Sequence, residues 1–193
     1  MRRATIISDA SFVPHSKTSS WGAWVKADGK PSETYGGLIR RECNDSTDAE
    51  ICALANALYK AISTGLVEPN TEVMLQSDST QALGLLKKLV PNVSVRNHKD
   101  SAELAVFRKP QLCGGLRAEA AKVVERIATE HGLTIVLRHV RGHKAGGGRQ
   151  WVNRKVDSTA KAARSATRDS AASGGMTGAA APGATRRTTE EGT

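Results

Sequence analysis

The stretch Ala4-Thr-Ile-Ile-Ser-Asp9-Ala-Ser11 decides how the rest of the chain is interpreted. Its apolar, β-branched residues predict a buried strand, and this strand ends at a single carboxylate, Asp9. A charge at the edge of a core costs free energy unless another group compensates it. No lysine or arginine follows within the next six residues. The question for the rest of the chain is therefore which groups meet Asp9.

The composition predicts a single domain that binds an anionic partner. A chain of 193 residues is long enough for one domain with a proper core. Hydrophobic residues make up 39% of the chain and aromatic residues 4%, so the core must be largely aliphatic. The net charge of +9 indicates an anionic partner. The charges within residues 168–193 cancel, so the whole excess lies in residues 1–167.

Cysteine usage and hydropathy predict a soluble, cytoplasmic protein. Cys43, Cys52 and Cys113 form no CxxC pair, which favours buried free thiols in a reducing compartment. The N-terminus leads straight into the first strand without a long apolar region. No stretch approaches 18 consecutive apolar residues, so we expect no membrane association.

The spacing of apolar residues predicts an α/β protein with the element order βββαβααβα. The predicted strands cover residues 4–10, 21–27, 33–40, 72–77 and 133–140. The predicted helices cover residues 47–64, 79–90, 116–131 and 151–167. Residues 91–115 lack clear periodicity and predict a basic loop or a short irregular helix. Residues 168–193 are dominated by small and polar residues, which predicts a disordered tail after a domain at residues 1–167.

Four acidic residues lie where a predicted strand or helix meets the end of the sheet. They are Asp9, Glu50, Asp78 and Asp157. Each also has an ordinary structural explanation. Asp9 could begin a turn, and Asp78 could cap the helix that follows it. Glu50 follows Thr47 by three residues, which is the capping-box pattern. Asp157 could be a surface residue of the last helix.

The placement of these acids favours a shared site. Glu50 lies four residues before Leu54, so its side chain leans toward the buried face of its helix. Asp157 is the single acid in residues 138–168, a segment with nine lysines and arginines. Two carboxylates about 6 Å apart repel by roughly 2–3 kcal/mol at an effective dielectric near 20, so convergence requires protons or cations. Hard oxygen ligands favour Mg²⁺ or Mn²⁺, and two such ions could support phosphodiester hydrolysis.

Five short motifs carry a resemblance to a known family. In chain order they are Ile7-Ser-Asp9-Ala-Ser11, Thr47-Asp-Ala-Glu50-Ile-Cys-Ala-Leu54, Leu75-Gln-Ser-Asp78-Ser79, Val140-Arg-Gly-His143 and Asn153-Arg-Lys-Val-Asp157-Ser-Thr-Ala-Lys-Ala-Ala163. Together they resemble the type 1 branch of the ribonuclease H family over about residues 4–165. The resemblance implies a ribonuclease H-like fold, a five-stranded mixed sheet whose first three strands are antiparallel, with helices on both faces.

The resemblance also implies an activity. Asp9, Glu50, Asp78 and Asp157 would be the ligands of two Mg²⁺ or Mn²⁺ ions. His143, on the loop after the fifth strand, would assist catalysis or product release. The family hydrolyses the RNA strand of an RNA–DNA hybrid and leaves a 5′-phosphate and a 3′-hydroxyl. We therefore expect a monomeric, metal-dependent endonuclease that acts on such hybrids.

Predicted substrate contacts follow from the same resemblance. The family's basic extension would fall on Lys87, Lys88, Arg96, Lys99, Arg108 and Lys109, for which a solvated basic face is the alternative. Polar candidates for contacts with the nucleic-acid backbone are Ser11, Thr47, Ser79 and Asn153. Two other functions stay open. One is a nuclease of the same fold with another target, such as an exonuclease or a junction resolvase, and the other is a non-catalytic nucleic-acid-binding protein.

Overall fold

A single mixed sheet forms the centre of the computed structural model, which describes residues 1–96, 115–140 and 150–173. The strands are β1 (Arg2–Val13), β2 (Thr18–Ala27), β3 (Glu33–Ile39), β4 (Thr71–Ser77), β5 (Ser94–Val95) and β6 (Thr134–His139). Their order across the sheet is β3-β2-β1-β4-β6-β5. Strands β1, β2 and β3 pair antiparallel, whereas β4 pairs parallel with both β1 and β6. The predicted fold class, with its three antiparallel first strands, is confirmed.

The sheet of the described residues has six strands and not the predicted five. The additional strand is β5, which pairs with β6 through Ser94 and Val95. It falls in the segment that was predicted as a basic loop or an irregular helix. Two residues are too few to show the alternation by which a strand is recognised in a sequence. Strand β5 was therefore not predicted because it is too short.

Helices cover both faces of the sheet. They are α1 (Ser46–Ser63), α2 (Thr80–Leu89), α3 (Leu116–Glu130) and α4 (Gln150–Ser173). Gly65 and Gly132, which follow the ends of α1 and α3, have φ angles of +70° and +61°. Such angles favour glycine at the end of a helix. Helix α4 continues six residues beyond the predicted end at Thr167.

Alternating residues of β1 pack into two apolar layers, one on each face of the sheet. Ile6 belongs to the main core, which also contains residues of α1, α2 and α3. Ile7 points to the opposite face and packs with Val152 and Val156 of α4 and with Trp24. The sheet is thus buried on both sides, which leaves its strand ends as the place where polar groups can gather.

Two expectations about thiols and membranes concern the described residues. Cys43 and Cys52 are buried and free, as predicted, while Cys113 lies outside the described residues. None of the helices in the described part of the chain has the length and hydrophobicity needed to span a membrane.

Candidate active site

Asp9 and Asp78 lie together because their strands run side by side in the same direction. In the parallel ladder of β1 and β4, Ile7 is paired with Gln76. Asp9 and Asp78 each follow this pair by two residues, so the two carboxylates lie at the same end of the sheet. Asp78 is exposed and Asp9 is half-buried. The β-strand pairing alone thus brings together two acids that are 69 residues apart.

Glu50 reaches the same place from α1. Its Oε1 atom accepts a hydrogen bond from the Ala10 backbone N–H at 3.2 Å, and its Oε2 atom accepts one from the Ser77 hydroxyl at 3.3 Å. Ala10 lies in β1 three residues beyond the last pair with β4, and Ser77 is the last residue of β4. Glu50 does not cap its helix, because the capping residue is Asp45, whose side chain accepts from the Asp48 N–H at 2.9 Å. The Thr47–Glu50 capping box, considered above as an alternative, is therefore wrong.

Asp78 is likewise not used as a helix cap. The residue that caps α2 is its neighbour Ser79, whose hydroxyl accepts from the Ala82 N–H at 3.2 Å. Asp9, Glu50 and Asp78 each present one carboxylate oxygen such that the three oxygens lie within 4.8 Å of one another. We call these three residues the carboxylate cluster. Among the described side chains, none of the ion pairs involves a member of this cluster.

The electrostatics of the cluster follow from burial and like charge. Burial, followed by the charge of Asp78, raises the pKa of Asp9 to about 6. Burial, followed by the charges of Asp9 and Asp78, raises the pKa of Glu50 to about 9. A hydrogen bond between the two groups lowers the pKa of Asp9 and raises that of Glu50, as expected if Glu50 holds the proton. At neutral pH and without a cation, Glu50 is therefore protonated.

The cluster has the donor chemistry of a hard divalent cation. Its ligand atoms are carboxylate oxygens, which Mg²⁺ and Mn²⁺ prefer. It is partly shielded from water and is not neutralised by any described lysine or arginine, so a cation from solution would relieve the repulsion directly. The residues present therefore fit such an ion, which would take the place of the proton on Glu50.

Asp157 approaches the cluster from the opposite layer. Helix α4 lies unusually close to β2, because a Cβ atom on Gly22 would clash with the carbonyl oxygen of Val156. Gly22 is the ladder partner of Asp9, so this contact holds the Asp157 region of α4 near Asp9. The charge of Asp157 contributes to raising the pKa of Asp9. Its carboxylate, however, pairs with Lys161 at 2.8 Å and is not one of the three within 4.8 Å.

Several of the predicted substrate contacts hold elements of the protein together. The Ser11 hydroxyl accepts from Arg164 Nη1 at 2.8 Å. Thr47 is buried and donates to Gln81 Oε1 at 2.5 Å, and Ser79 caps α2. Lys88 is exposed and Lys87 half-buried in the last turn of α2, while Arg96 is exposed after β5. The side chain of Asn153 and the whole of His143, Lys99, Arg108 and Lys109 lie outside the described residues.

Two groups that hold Glu50 were not predicted from the sequence. One is the hydroxyl of Ser77, which immediately precedes Asp78 in a run of polar residues at the end of β4. A serine beside an acid at a strand end is a weak signal that could have been noticed. The other is the backbone N–H of Ala10, which no pattern of side chains reveals.

The fold and the cluster together define a mixed-sheet α/β protein with a group of three carboxylates where the parallel pairing of its central strands ends. The RNase H family model matches residues 1–165, and the chain belongs to the RNase H family. Its membership agrees with the resemblance carried by the five motifs.

Solved structures agree on the fold. RNase H1 from the halophilic archaeon Halobacterium salinarum is 16% identical, with a TM-score of 0.55 over 85% of this chain and 98% of that one. The N-terminal RNase H domain of a Mycobacterium tuberculosis protein is 18% identical, with a TM-score of 0.53 over 89% and 99%. LC11-RNase H1, in complex with an RNA/DNA hybrid, is 15% identical, with a TM-score of 0.59 over 86% and 99%. A comparison with curated proteins found no significant match.

Proposed function

We propose that this protein is a metal-dependent endonuclease that hydrolyses the RNA strand of RNA–DNA hybrids and leaves 5′-phosphate and 3′-hydroxyl ends. The observation that carries the proposal is the convergence of Asp9, Glu50 and Asp78 in a chain of net charge +9, with no ion pair to a lysine or arginine among the described residues. A surface that merely bound phosphate would gain nothing from three adjacent carboxylates, because they repel the same anion.

The roles of the acids follow from their positions. Asp9, Glu50, Asp78 and Asp157 would hold two Mg²⁺ or Mn²⁺ ions. When bound, two such ions activate the attacking water and stabilise the leaving oxygen of a phosphodiester. The Ser77 hydroxyl and the Ala10 N–H orient the Glu50 carboxylate toward Asp9. To join the cluster, Asp157 must break its exposed ion pair with Lys161, which costs about a few tenths of a kcal/mol.

The substrate is proposed from charge and from one structural relative. LC11-RNase H1 is a protein of this fold in complex with an RNA/DNA hybrid. The excess positive charge of residues 1–167, which we take as the catalytic domain, supports binding to a phosphate backbone. Lys87, Lys88 and Asn153 are proposed to contact this backbone, and His143 to assist catalysis or product release. Binding should weaken steeply as the salt concentration rises.

The test is cleavage of a labelled RNA–DNA hybrid with Mg²⁺ or Mn²⁺ by the wild type and by Asp9→Asn. We expect a loss of more than about 100-fold for Asp9→Asn, since even residues that only support metal ligands cost 10–100-fold. The control is Glu130→Gln, which alters an exposed acid at the end of α3 and should cut normally.

The choice of substrate separates the remaining alternatives. Duplex DNA, single strands and four-way junctions are offered in parallel with the hybrid. Preferred cleavage of a junction or of free ends would assign the same site to a resolvase or an exonuclease. Salt-sensitive binding without cleavage in any metal would identify a non-catalytic nucleic-acid-binding protein. If the wild type and Asp9→Asn cut the hybrid equally well, the acids have no role in catalysis and the proposal is wrong.

A further inference from the structure

One arginine from α3 joins two acids at the start of α1. Arg117 Nη2 lies 2.5 Å from Asp45 Oδ2, and Arg117 Nε lies 2.5 Å from Asp48 Oδ1. The side chains of Asp48 and Arg117 are 4% and 17% exposed, so their ion pair is largely shielded from water. We call Asp45, Asp48 and Arg117 the arginine clamp. Ion pairs of this shielded, hydrogen-bonded kind are costly to break from one side only.

Both acids of the clamp also define where α1 begins. Asp45 uses its second oxygen, Oδ1, to accept from the Asp48 N–H at 2.9 Å. Asp48 uses its second oxygen, Oδ2, to accept from the Asn44 N–H at 2.9 Å. Each acid therefore gives one oxygen to a backbone N–H at the start of α1 and the other to Arg117. The clamp ties the first turn of α1, and not just a flexible surface side chain, to α3.

Glu50 lies on the other side of the same turn. Successive residues of an α-helix are about 100° apart, so Glu50 is turned roughly 200° from Asp48. Asp48 faces α3, and Glu50 faces the ends of β1 and β4. The hydrogen bonds that Glu50 accepts there are 3.2 and 3.3 Å long, near the upper limit of useful lengths. A small shift of α1 away from the sheet would break both.

We propose that Arg117 is a positioning residue for Glu50, because it holds the start of α1 where the Glu50 carboxylate meets Asp9 and Asp78. This inference rests on the proposed function in that it assigns the cluster a bound divalent cation. Arginine suits the role better than lysine, since its planar fork reaches both carboxylates at once. A second tie, from Thr47 on α1 to Gln81 on α2, fixes the same turn on its other flank.

The test measures Mn²⁺ affinity by calorimetry without nucleic acid, and hybrid cleavage separately. We expect Arg117→Ala to bind Mn²⁺ about 10-fold more weakly and to lose kcat by a similar factor, as for other residues that orient metal ligands. Arg117→Lys should lie between Arg117→Ala and the wild type. The matched control is Arg126→Ala on the same helix, which removes an exposed pair with Glu130 and should leave both quantities unchanged. All measurements are made where circular dichroism shows each variant to be folded.

A purely structural role predicts a different result. If folded Arg117→Ala or Arg117→Lys keeps the wild-type Mn²⁺ affinity and kcat while its melting temperature falls, the proposal is overturned. Should Arg117→Ala not fold, Arg117→Lys and Asp45→Asn decide the question by the same readout. A wild type that binds Mn²⁺ but cuts no hybrid refutes the proposed function and leaves the Mn²⁺ comparison valid. A wild type that binds no Mn²⁺ overturns both proposals.

Discussion

Two groups of acids meet at the first turns of α1, and they differ in how their charge is compensated. On one side, Asp45 and Asp48 share Arg117. On the other side, Glu50 meets Asp9 and Asp78, and none of the described ion pairs includes these three. In each group the acid within α1 is shielded from water, because Asp48 is buried and Glu50 is half-buried. Among the described residues, the protein thus supplies a cation to the first group of acids and none to the second.

The two groups have opposite electrostatic signatures. Burial acts to raise the pKa of Asp48, but the hydrogen bonds from Arg117 and Asn44 outweigh it and lower that pKa below its ordinary value. In the carboxylate cluster, burial and like charge act in the same direction and raise the pKa of Glu50 to about 9. A group of acids that stabilises the fold has its charge paired. A group of acids that destabilises the metal-free fold needs another explanation, and the proposed function supplies one, the binding of a cation.

The largest expected effect, on thermal stability, comes from replacing Glu50 with glutamine, which cannot ionise. In the metal-free protein the pKa of Glu50 is raised from 4.5 to about 9, so between these values the folded state holds a proton that the unfolded chain has lost. Stability therefore falls as the pH rises through this window, by up to about 1.4 kcal/mol for each pH unit. Glu50→Gln should melt at a higher temperature than the wild type at pH 8 and at a similar temperature at pH 4.

Asp48→Asn is the matched control for this prediction, because its sign is opposite. The pKa of Asp48 is lowered from 3.8, so its pairing stabilises the protein above that pH and is lost as the pH falls through the lower value. Asp48→Asn should therefore destabilise the protein at pH 8, and progressively less as the pH is lowered below 3.8. Saturating Mn²⁺ should remove the advantage of Glu50→Gln and leave the defect of Asp48→Asn. If pH and Mn²⁺ change the stability of both variants in the same direction, the two groups of acids do not differ in the way described here.

Overlapping patterns show what the sequence could and could not predict here. The run Asp45-Ser-Thr47-Asp48-Ala-Glu50 contains two possible capping pairs, Asp45 with Asp48 and Thr47 with Glu50. Local rules favour both. Arg117, 69 residues away in the chain, contacts the first pair and so decides between them. The helix was predictable because its apolar spacing is local, whereas its exact start depends on a tertiary contact.

The same division holds for the rest of the fold and site. The long strands and the five motifs were sufficient to predict the sheet and the meeting of Asp9, Glu50 and Asp78. The ion pair between Asp157 and Lys161 was not predicted, although the spacing of four residues on a helix permits it. The intramolecular partners of Ser11 and Thr47 were not predicted, because polarity near an acid does not tell which group a hydroxyl contacts, and their contacts with substrate stay a prediction.

An intermediate effect is expected at Gly22, which governs how the fourth acid approaches the cluster. In Gly22→Ala the new methyl group would clash with the backbone of α4 at Val156 and Ala160. Backbone cannot move aside as a side chain can, so we expect a loss of about 1–3 kcal/mol in unfolding free energy. The displaced α4 should also weaken Mn²⁺ binding. Urea denaturation and calorimetry measure the two effects.

Gly37→Ala is the control for Gly22→Ala. A Cβ atom at Gly37 would lie 3.2 Å from the Trp21 indole nitrogen, a side-chain atom that can yield. We expect a loss below about 1 kcal/mol and unchanged Mn²⁺ affinity. A Gly22→Ala variant that is destabilised but binds Mn²⁺ normally would place Asp157 outside the metal site.

The smallest expected effect is a change in Mn²⁺ affinity when the ion pair between Asp157 and Lys161 is broken. This change shows whether Asp157 joins the carboxylate cluster. Their side chains are 42% and 59% exposed, so the pair contributes a few tenths of a kcal/mol. If Asp157 leaves Lys161 to join the cluster, Lys161→Ala removes this competition and should tighten Mn²⁺ binding by a factor of about two. Arg126→Ala breaks an exposed pair of the same spacing on α3 and should leave Mn²⁺ affinity unchanged. Weaker Mn²⁺ binding by Lys161→Ala would instead mean that Lys161 holds Asp157 in the position needed for metal binding. Asp157 would then resemble Asp45 and Asp48, which Arg117 holds in place.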